Sequence, residues 1–138
     1  MNDRFIKKLW HTNRKIFLKE FSILQTIHSD GTVEHTYFEY KPKTQELERL
    51  SSCQIKEINC TGLKDKNGKL IFEGDIILIP DIWEEYGTMA GAKREIYFNE
   101  GGFRLKPKWN KNSRGNWLED TKDFEVIGNI YENKELLE

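Results

Sequence analysis

Apolar residues recur along this chain in short runs separated by polar turns. The stretch from Thr61 to Ile79 reads TGLKDKNGKLIFEGDIILI, with an apolar triplet at residues 70–72 and an apolar run at residues 76–79. Short apolar runs bounded by Gly, Asn and Asp are typical of buried strands. The pattern therefore predicts two strands here. Asn67-Gly68 predicts a type I′ turn before the first strand, and Pro80 ends the second.

Turn-forming residues between apolar runs also predict hairpins on both sides of this stretch. Asp30-Gly31 separates KIFLKEFSILQTI from VEHTYFEYK, a predicted strand with aromatic residues on both faces. The NEGG at residues 99–102 predicts a second hairpin, and Gly128 within EVIGNIY indicates a bulge or a close backbone approach in the last strand. The sequence thus predicts a mainly β fold whose C-terminal short strands roll into a small barrel.

Length and charge narrow the picture further. The 138 residues suit one domain or two small ones, and we divide them into an N-terminal β region, residues 1–60, and a barrel, residues 61–138. The net charge of −1 argues against whole-chain attraction to nucleic acid, although a local patch can still bind it. Because the N-terminus lacks an apolar signal segment and no run is long enough to span a membrane, we expect a cytoplasmic protein with reduced thiols.

Polar residues offer few combinations with a chemical role. Asp65, Glu73 and Asp75 suggest a metal or acid–base site, but aspartates in such turns usually accept hydrogen bonds from backbone N–H groups, and we favour that role. The histidines and cysteines match no familiar zinc spacing, and no acid is visibly placed to orient a histidine. We therefore expect no enzymatic activity, no metal and no cofactor. The residues weighed as zinc ligands are His11, His28, His35, Cys53 and Cys60.

Two loops are candidate binding surfaces. The segment from Arg104 to Trp117 is basic and aromatic and contains no acid, a composition that can hold a phosphate backbone and stack bases. The alternative is a solvated loop whose tryptophans cover the barrel end. The segment from Asp81 to Tyr86 is acidic and aromatic and can anchor a protein partner. The alternative is a flexible insert that folds over the barrel. Their opposite charges also permit head-to-tail homo-oligomers. The basic set is Arg104, Lys106, Lys108, Trp109, Lys111, Arg114 and Trp117, and the acidic set is Trp83, Glu84, Glu85 and Tyr86.

Three segments carry a family resemblance. TGLKDKNGKLIFEGDIILI, IYFNEGGFRL and EVIGNIYENKELLE resemble the YopX family of bacteriophage and prophage proteins, although Lys134 stands where that family usually has proline. The resemblance implies an SH3-like C-terminal barrel and brings no catalytic residues. The predicted function is thus that of a non-enzymatic accessory protein that binds a protein partner, such as a host regulatory or defence protein. The alternative is a nucleic-acid-binding module that uses residues 104–117.

Overall fold

The computed structural model describes residues 6–80, 93–106, 116–118 and 121–137. The described chain forms two compact units. The N-terminal unit is Lys7–Ile58, and the C-terminal unit contains Ile6 and the described residues from Asn59 onward. The hairpins of both units are antiparallel, and the described residues contain strands and short 3₁₀ turns but no α-helix. The predicted mainly β class is therefore confirmed.

The N-terminal unit is built around a three-stranded sheet in the order β3-β4-β5. Strand β3 pairs with β4 along its whole length, from Phe21 opposite Glu39 to Ile27 opposite Val33, which confirms the hairpin predicted at Asp30-Gly31. Strand β1 lies between β2 and β6. The strands are β1 (Lys7–His11), β2 (Ile16–Phe17), β3 (Phe21–Ile27), β4 (Val33–Lys41), β5 (Glu46–Leu50) and β6 (Ile55–Lys64).

Alternation along these strands separates an inner from an outer sheet face. Tyr37 is buried with Leu9 and Leu18, and four half-buried or flanking apolar residues pack against them: Phe21, Ile23, Leu50 and Ile55. Because side chains alternate along a strand, Leu24, Phe38, Tyr40 and Leu47 lie on the opposite, outer face. The core of this unit therefore uses only one face of the β3-β4-β5 sheet.

The C-terminal unit contains a five-stranded sheet in the order β11-β10-β9-β8-β12. Its core joins the apolar residues of the central stretch to those of the later strands, with Ile71, Ile77, Ile79, Ile96, Leu105 and Phe124 buried together. The NEGG turn closes the β9–β10 hairpin as predicted, with Gly102 opposite Asn99. The strands are β7 (Leu70–Phe72), β8 (Asp75–Leu78), β9 (Lys93–Asn99), β10 (Gly102–Leu105), β11 (Asn116–Trp117) and β12 (Glu125–Asn129).

Gly128 marks an irregularity in the last strand. The register between β12 and β8 shifts between Val126 and Gly128, and a Cβ atom at Gly128 would lie 2.7 Å from Asn133 Oδ1 and 2.8 Å from Leu136 Cδ1. The following 3₁₀ turn, Lys134–Leu137, therefore passes close to the strand backbone. Both the bulge and the close approach predicted from this glycine are confirmed.

A buried aspartate holds the turn before β7. Asp65 Oδ1 accepts hydrogen bonds from the backbone N–H groups of Asn67 and Lys69, each at 2.9 Å, and Oδ2 accepts one from Val126 N at 3.0 Å. The predicted type I′ turn is wrong, because it requires positive φ at both Asn67 and Gly68, whereas only Gly68, at 79°, has it. The Asp65 carboxylate instead supports a different turn by binding the N–H groups within it.

Replacing Asp65 should destabilise the fold more than replacing a comparable exposed turn residue. Asp65→Ala leaves three backbone donors without their acceptor, and we expect a loss of about 2 kcal/mol or more in the free energy of unfolding. Asp30, in the exposed β3–β4 turn, accepts bonds from the backbone N–H and hydroxyl of Thr32 and stays in contact with solvent, so Asp30→Ala should cost clearly less. Urea unfolding followed by circular dichroism measures both, and equal losses would contradict this role of Asp65.

Candidate functional site

Most of the two predicted binding loops lies outside the described residues. Trp83, Glu84, Glu85 and Tyr86 all lie outside them, as do four members of the basic set, Lys108, Trp109, Lys111 and Arg114. The structure describes Arg104, Lys106 and Trp117. That the residues of the acidic loop form one surface therefore stays a prediction. The same holds for the residues of the basic loop other than these three.

Arg104 and Trp117 form a stacked pair on the C-terminal sheet. They lie opposite each other on β10 and β11, and the Arg104 guanidinium carbon is 3.5 Å from the Trp117 ring centroid. Arg104 is only 6% exposed whereas Trp117 is 48% exposed, so the indole covers the guanidinium and keeps a large surface in solvent. The ring also lies over Gly102, where a Cβ atom would be 2.1 Å from the indole. Lys106 Nζ is 3.7 Å from Glu95 Oε1.

The three carboxylates of the central stretch all accept backbone hydrogen bonds. Asp75 Oδ2 accepts one from Phe72 N at 2.8 Å, and Glu73 Oε1 accepts one from Asn59 N at 2.9 Å. Burial by itself raises the pKa of Asp65, but its bonds from Val126, Lys69 and Asn67 outweigh this effect and hold the pKa below its usual value. The favoured structural role of Asp65, Glu73 and Asp75 is thus confirmed.

A polar cluster on the inner side of the N-terminal unit centres on Glu57. Its Oε1 atom is 2.5 Å from His35 Nδ1 and accepts a hydrogen bond from the Tyr37 hydroxyl at 2.7 Å, while Oε2 is 2.8 Å from Lys7 Nζ. The His35 Nε2 atom lies 3.4 Å from Gln25 Nε2. This carboxylate of β6 therefore contacts side chains from β1 and β4.

The electrostatics of this cluster favour an ionised Glu57. Burial raises the pKa of Glu57, but hydrogen bonds from Lys7, Tyr37 and His35 and the charge of Lys7 outweigh it and lower the pKa to about 2. Burial, followed by the hydrogen bond to Glu57 and its negative charge, raises the pKa of Tyr37 to about 12. At neutral pH the carboxylate is therefore charged and the phenol keeps its proton.

The Glu57–His35 pair was not apparent from the sequence. The prediction that no acid is placed to orient a histidine is wrong, because the Glu57 carboxylate contacts His35 Nδ1. Alternation places His35 and Tyr37 on one face of β4, which was readable from the sequence, but Glu57 is distant in the chain and is brought there only by folding. Among the described residues, no group of three His, Cys, Asp or Glu side chains is arranged to hold a metal ion.

A groove lies at the end of the same unit where β2 and β4 approach each other. Its volume is about 370 Å³, and its apolar wall includes Phe17, Leu18, Tyr40 and Pro42. Arg14 and Glu39 line it from the polar side, with Arg14 Nη1 2.7 Å from Glu39 Oε2. Because this arginine is paired, its charge is partly neutralised at the groove.

The outer face of the β3-β4-β5 sheet continues from this groove through Tyr40. Leu47 is opposite Tyr40 on β5 and is 59% exposed, and Leu24 on β3 is 56% exposed. Phe38, two residues before Tyr40 on β4, has the same orientation and is half-buried. We call Leu24, Phe38, Tyr40 and Leu47 the outer patch. It combines two exposed leucines with two half-buried aromatic residues.

The fold and these surfaces define a small antiparallel β protein with an exposed apolar sheet face. The model of the family described as YopX protein matches residues 7–138, so the chain belongs to the YopX family and the predicted resemblance is confirmed. No helix in the described parts of the chain is long and apolar enough to cross a membrane.

Two solved structures are similar to the chain. Protein EF1440 from Enterococcus faecalis is 30% identical, with 96% of each chain covered and a TM-score of 0.58. Protein yopX from Bacillus subtilis is 21% identical, with all of each chain covered and a TM-score of 0.61, which is a likeness of fold. No curated protein matches the chain.

The Glu57 cluster predicts a specific loss of stability in acid. A group whose pKa falls on folding stabilises the folded state above its unfolded pKa, here near 4.5, and this contribution disappears as the pH falls towards about 2. Glu57→Gln should therefore lower the urea midpoint at pH 7, and the difference from the unmodified chain should shrink between pH 4.5 and pH 2. Glu46→Gln, at an exposed position of β5, is the control and should change little. A difference for Glu57→Gln that is independent of pH would contradict the ionic role.

Proposed function

We propose that this YopX-family chain is a non-enzymatic accessory protein of a bacteriophage or prophage that binds a protein partner, such as a regulatory or defence protein, in the host cytoplasm. The observation that carries the proposal is the outer patch, where two leucines more than half exposed flank two aromatic residues. An apolar sheet face of this kind gains free energy when a partner removes it from water.

The charges on the outer face are of both signs, which suits a protein partner. Arg49 on β5 lies opposite Phe38, and Glu34 on β4 has the same orientation as Phe38 and Tyr40. A protein surface can present complementary charges to both. Mixed charges around an apolar centre are the usual composition of protein–protein interfaces.

The acidic loop stays part of the same proposal. A second candidate contact for the protein partner, on the basis of its composition alone, is formed by Trp83, Glu84, Glu85 and Tyr86.

We also propose an SH3-like barrel for the C-terminal unit. Its support is the five-stranded antiparallel sheet and the bulge at Gly128, because bulges bend strands where small barrels curve.

A nucleic-acid-binding module is the second candidate, and one observation favours it. Trp117 is 48% exposed and is backed by the Arg104 guanidinium, so the ring presents a cation-supported surface on which a base can stack. The remaining basic residues of the predicted set would then follow the phosphate backbone. Lys106 is less well placed because Glu95 lies near its charge.

Capture from a host lysate should test the leading proposal. The tagged chain is expected to retain a discrete protein after nuclease treatment, and Leu47→Arg should abolish this capture because it places a charge in the outer patch. Leu47→Met, which keeps an apolar side chain at the same exposed position, is the matched control and should retain it. Capture that survives Leu47→Arg would rule out the outer patch as the binding surface.

Fluorescence anisotropy with labelled single-stranded DNA and RNA should test the second candidate. If Trp117 stacks on bases, Trp117→Ala should weaken binding roughly tenfold, since one stacked base contributes about 1–3 kcal/mol, and Trp117→Phe should retain most of it. Binding should also weaken steeply with added salt. If the unmodified chain shows no binding at tens of micromolar protein in low salt, this candidate is eliminated.

A further inference from the structure

Strand β3 forms an unprotected edge of the N-terminal sheet. It pairs with β4 along all 7 residues, and within the described residues no strand pairs with its other side. Its sequence, FSILQTI, has no charged residue and no proline. Leu24 and Ile27 are 56% and 70% exposed, so side chains on both faces of this strand are in contact with solvent. Natural proteins usually protect such edges with charges, prolines or bulges.

The orientation of the backbone groups on this edge follows from the pairing with β4. Tyr40 N donates to Glu20 O, and His28 N donates to Thr32 O. In an antiparallel ladder these bonded positions alternate with residues whose backbone groups point away from the partner. The N–H and C=O groups that point outwards therefore belong to four residues: Phe21, Ile23, Gln25 and Ile27.

We propose that the chain forms a two-fold homodimer in which β3 pairs antiparallel with β3 of a second copy, centred on Leu24. In this register Ile23 faces Gln25 of the partner subunit, and Phe21 faces Ile27 of the partner subunit. All four residues have outward-pointing backbone groups, so these pairs are the hydrogen-bonded ones. Leu24 faces Leu24 of the partner subunit at the close, non-hydrogen-bonded pair on the axis.

The side chains are compatible with this symmetric arrangement. No charge faces another charge, and the exposed Ile27 gains an aromatic neighbour in Phe21 of the partner subunit, a favourable cross-strand combination. The opposite edge of the same sheet, β5, behaves differently. Its sequence ELERL, paired with itself about its centre, would place Glu48 against Glu48 of the partner subunit, and this repulsion disfavours pairing there.

The dimer can be tested separately from the protein-binding function proposed above, because it leaves Leu47 on β5 accessible, although Leu24 belongs to both surfaces. It also differs from head-to-tail association through oppositely charged loops. Since β3 carries no charge, raising the salt concentration should not dissociate the dimer. A pairing of two 7-residue strands is small for an interface, so we expect a dissociation constant on the order of micromolar or weaker.

Disulfide trapping tests the register directly. The exposed free thiol of Cys53 is first replaced by serine, while buried Cys60 is kept. In that background Leu24→Cys places two thiols at the axis, where facing Cα atoms are about 4.5 Å apart, within disulfide range. Mild oxidation should then yield a covalent dimer. Leu47→Cys, equally exposed on β5, is the matched control and should cross-link much more slowly.

Analytical ultracentrifugation over a range of concentrations tests the dimer without a cross-link. The unmodified chain should show dimers whose proportion rises with concentration and is unaffected by 0.5 M salt. Leu24→Lys and Leu24→Glu should each be monomeric, because like charges meet at the axis, and an equimolar mixture of the two should recover dimers. Unchanged urea midpoints for both variants would establish that the folded monomer is intact.

Three results would each overturn the proposal. The first is an unmodified chain that stays monomeric up to several hundred micromolar. The second is cross-linking of Leu24→Cys no faster than that of Leu47→Cys. The third is a dimer that persists in Leu24→Lys, since it would have to form through another surface. None of these results bears on lysate capture through Leu47, so the dimer and the proposed function can fail separately.

Discussion

The hydrogen bonds that the Asp65 carboxylate accepts are the interactions on which the C-terminal unit most depends. The carboxylate accepts two N–H groups from its own turn and a third from Val126 on the last strand. Neighbouring contacts strengthen the same junction: Lys66 N donates to Phe124 O at 2.9 Å, and the Thr121 hydroxyl donates to Lys64 O at 2.6 Å. The central stretch and the C-terminal segment that carry the family resemblance are therefore hydrogen-bonded to each other.

A second carboxylate has a related role in the N-terminal unit, with different partners. Glu57 binds the side chains of Lys7, His35 and Tyr37, whereas Asp65 binds backbone groups. Partly buried acids of this kind are stable only when several donors compensate for the loss of water. Each of these two charged side chains thus stabilises the unit in which it lies.

The surfaces available for function follow from the use of only one sheet face for the core. The inner face of β3-β4-β5 packs on Leu9 and Leu18, so the outer patch stays in contact with water. The patch and the β3 edge belong to one small sheet but point in different directions, across the sheet and along its plane. The proposed partner surface and the proposed dimer edge therefore share Leu24 but otherwise use different parts of one sheet.

Local sequence determined the elements of this protein, and tertiary structure determined which of them form sites. Turn residues and alternation are short-range signals, so the hairpins at Asp30-Gly31 and NEGG and the bulge at Gly128 were predictable. The turn at Asn67-Gly68 was not, because a side chain and a strand 61 residues away change its backbone preference. The Glu57–His35 contact, the covering of Arg104 by Trp117 and the open edge of β3 were likewise unpredictable. Each depends on which strand lies beside which, and that arrangement is set by packing between segments distant in the chain.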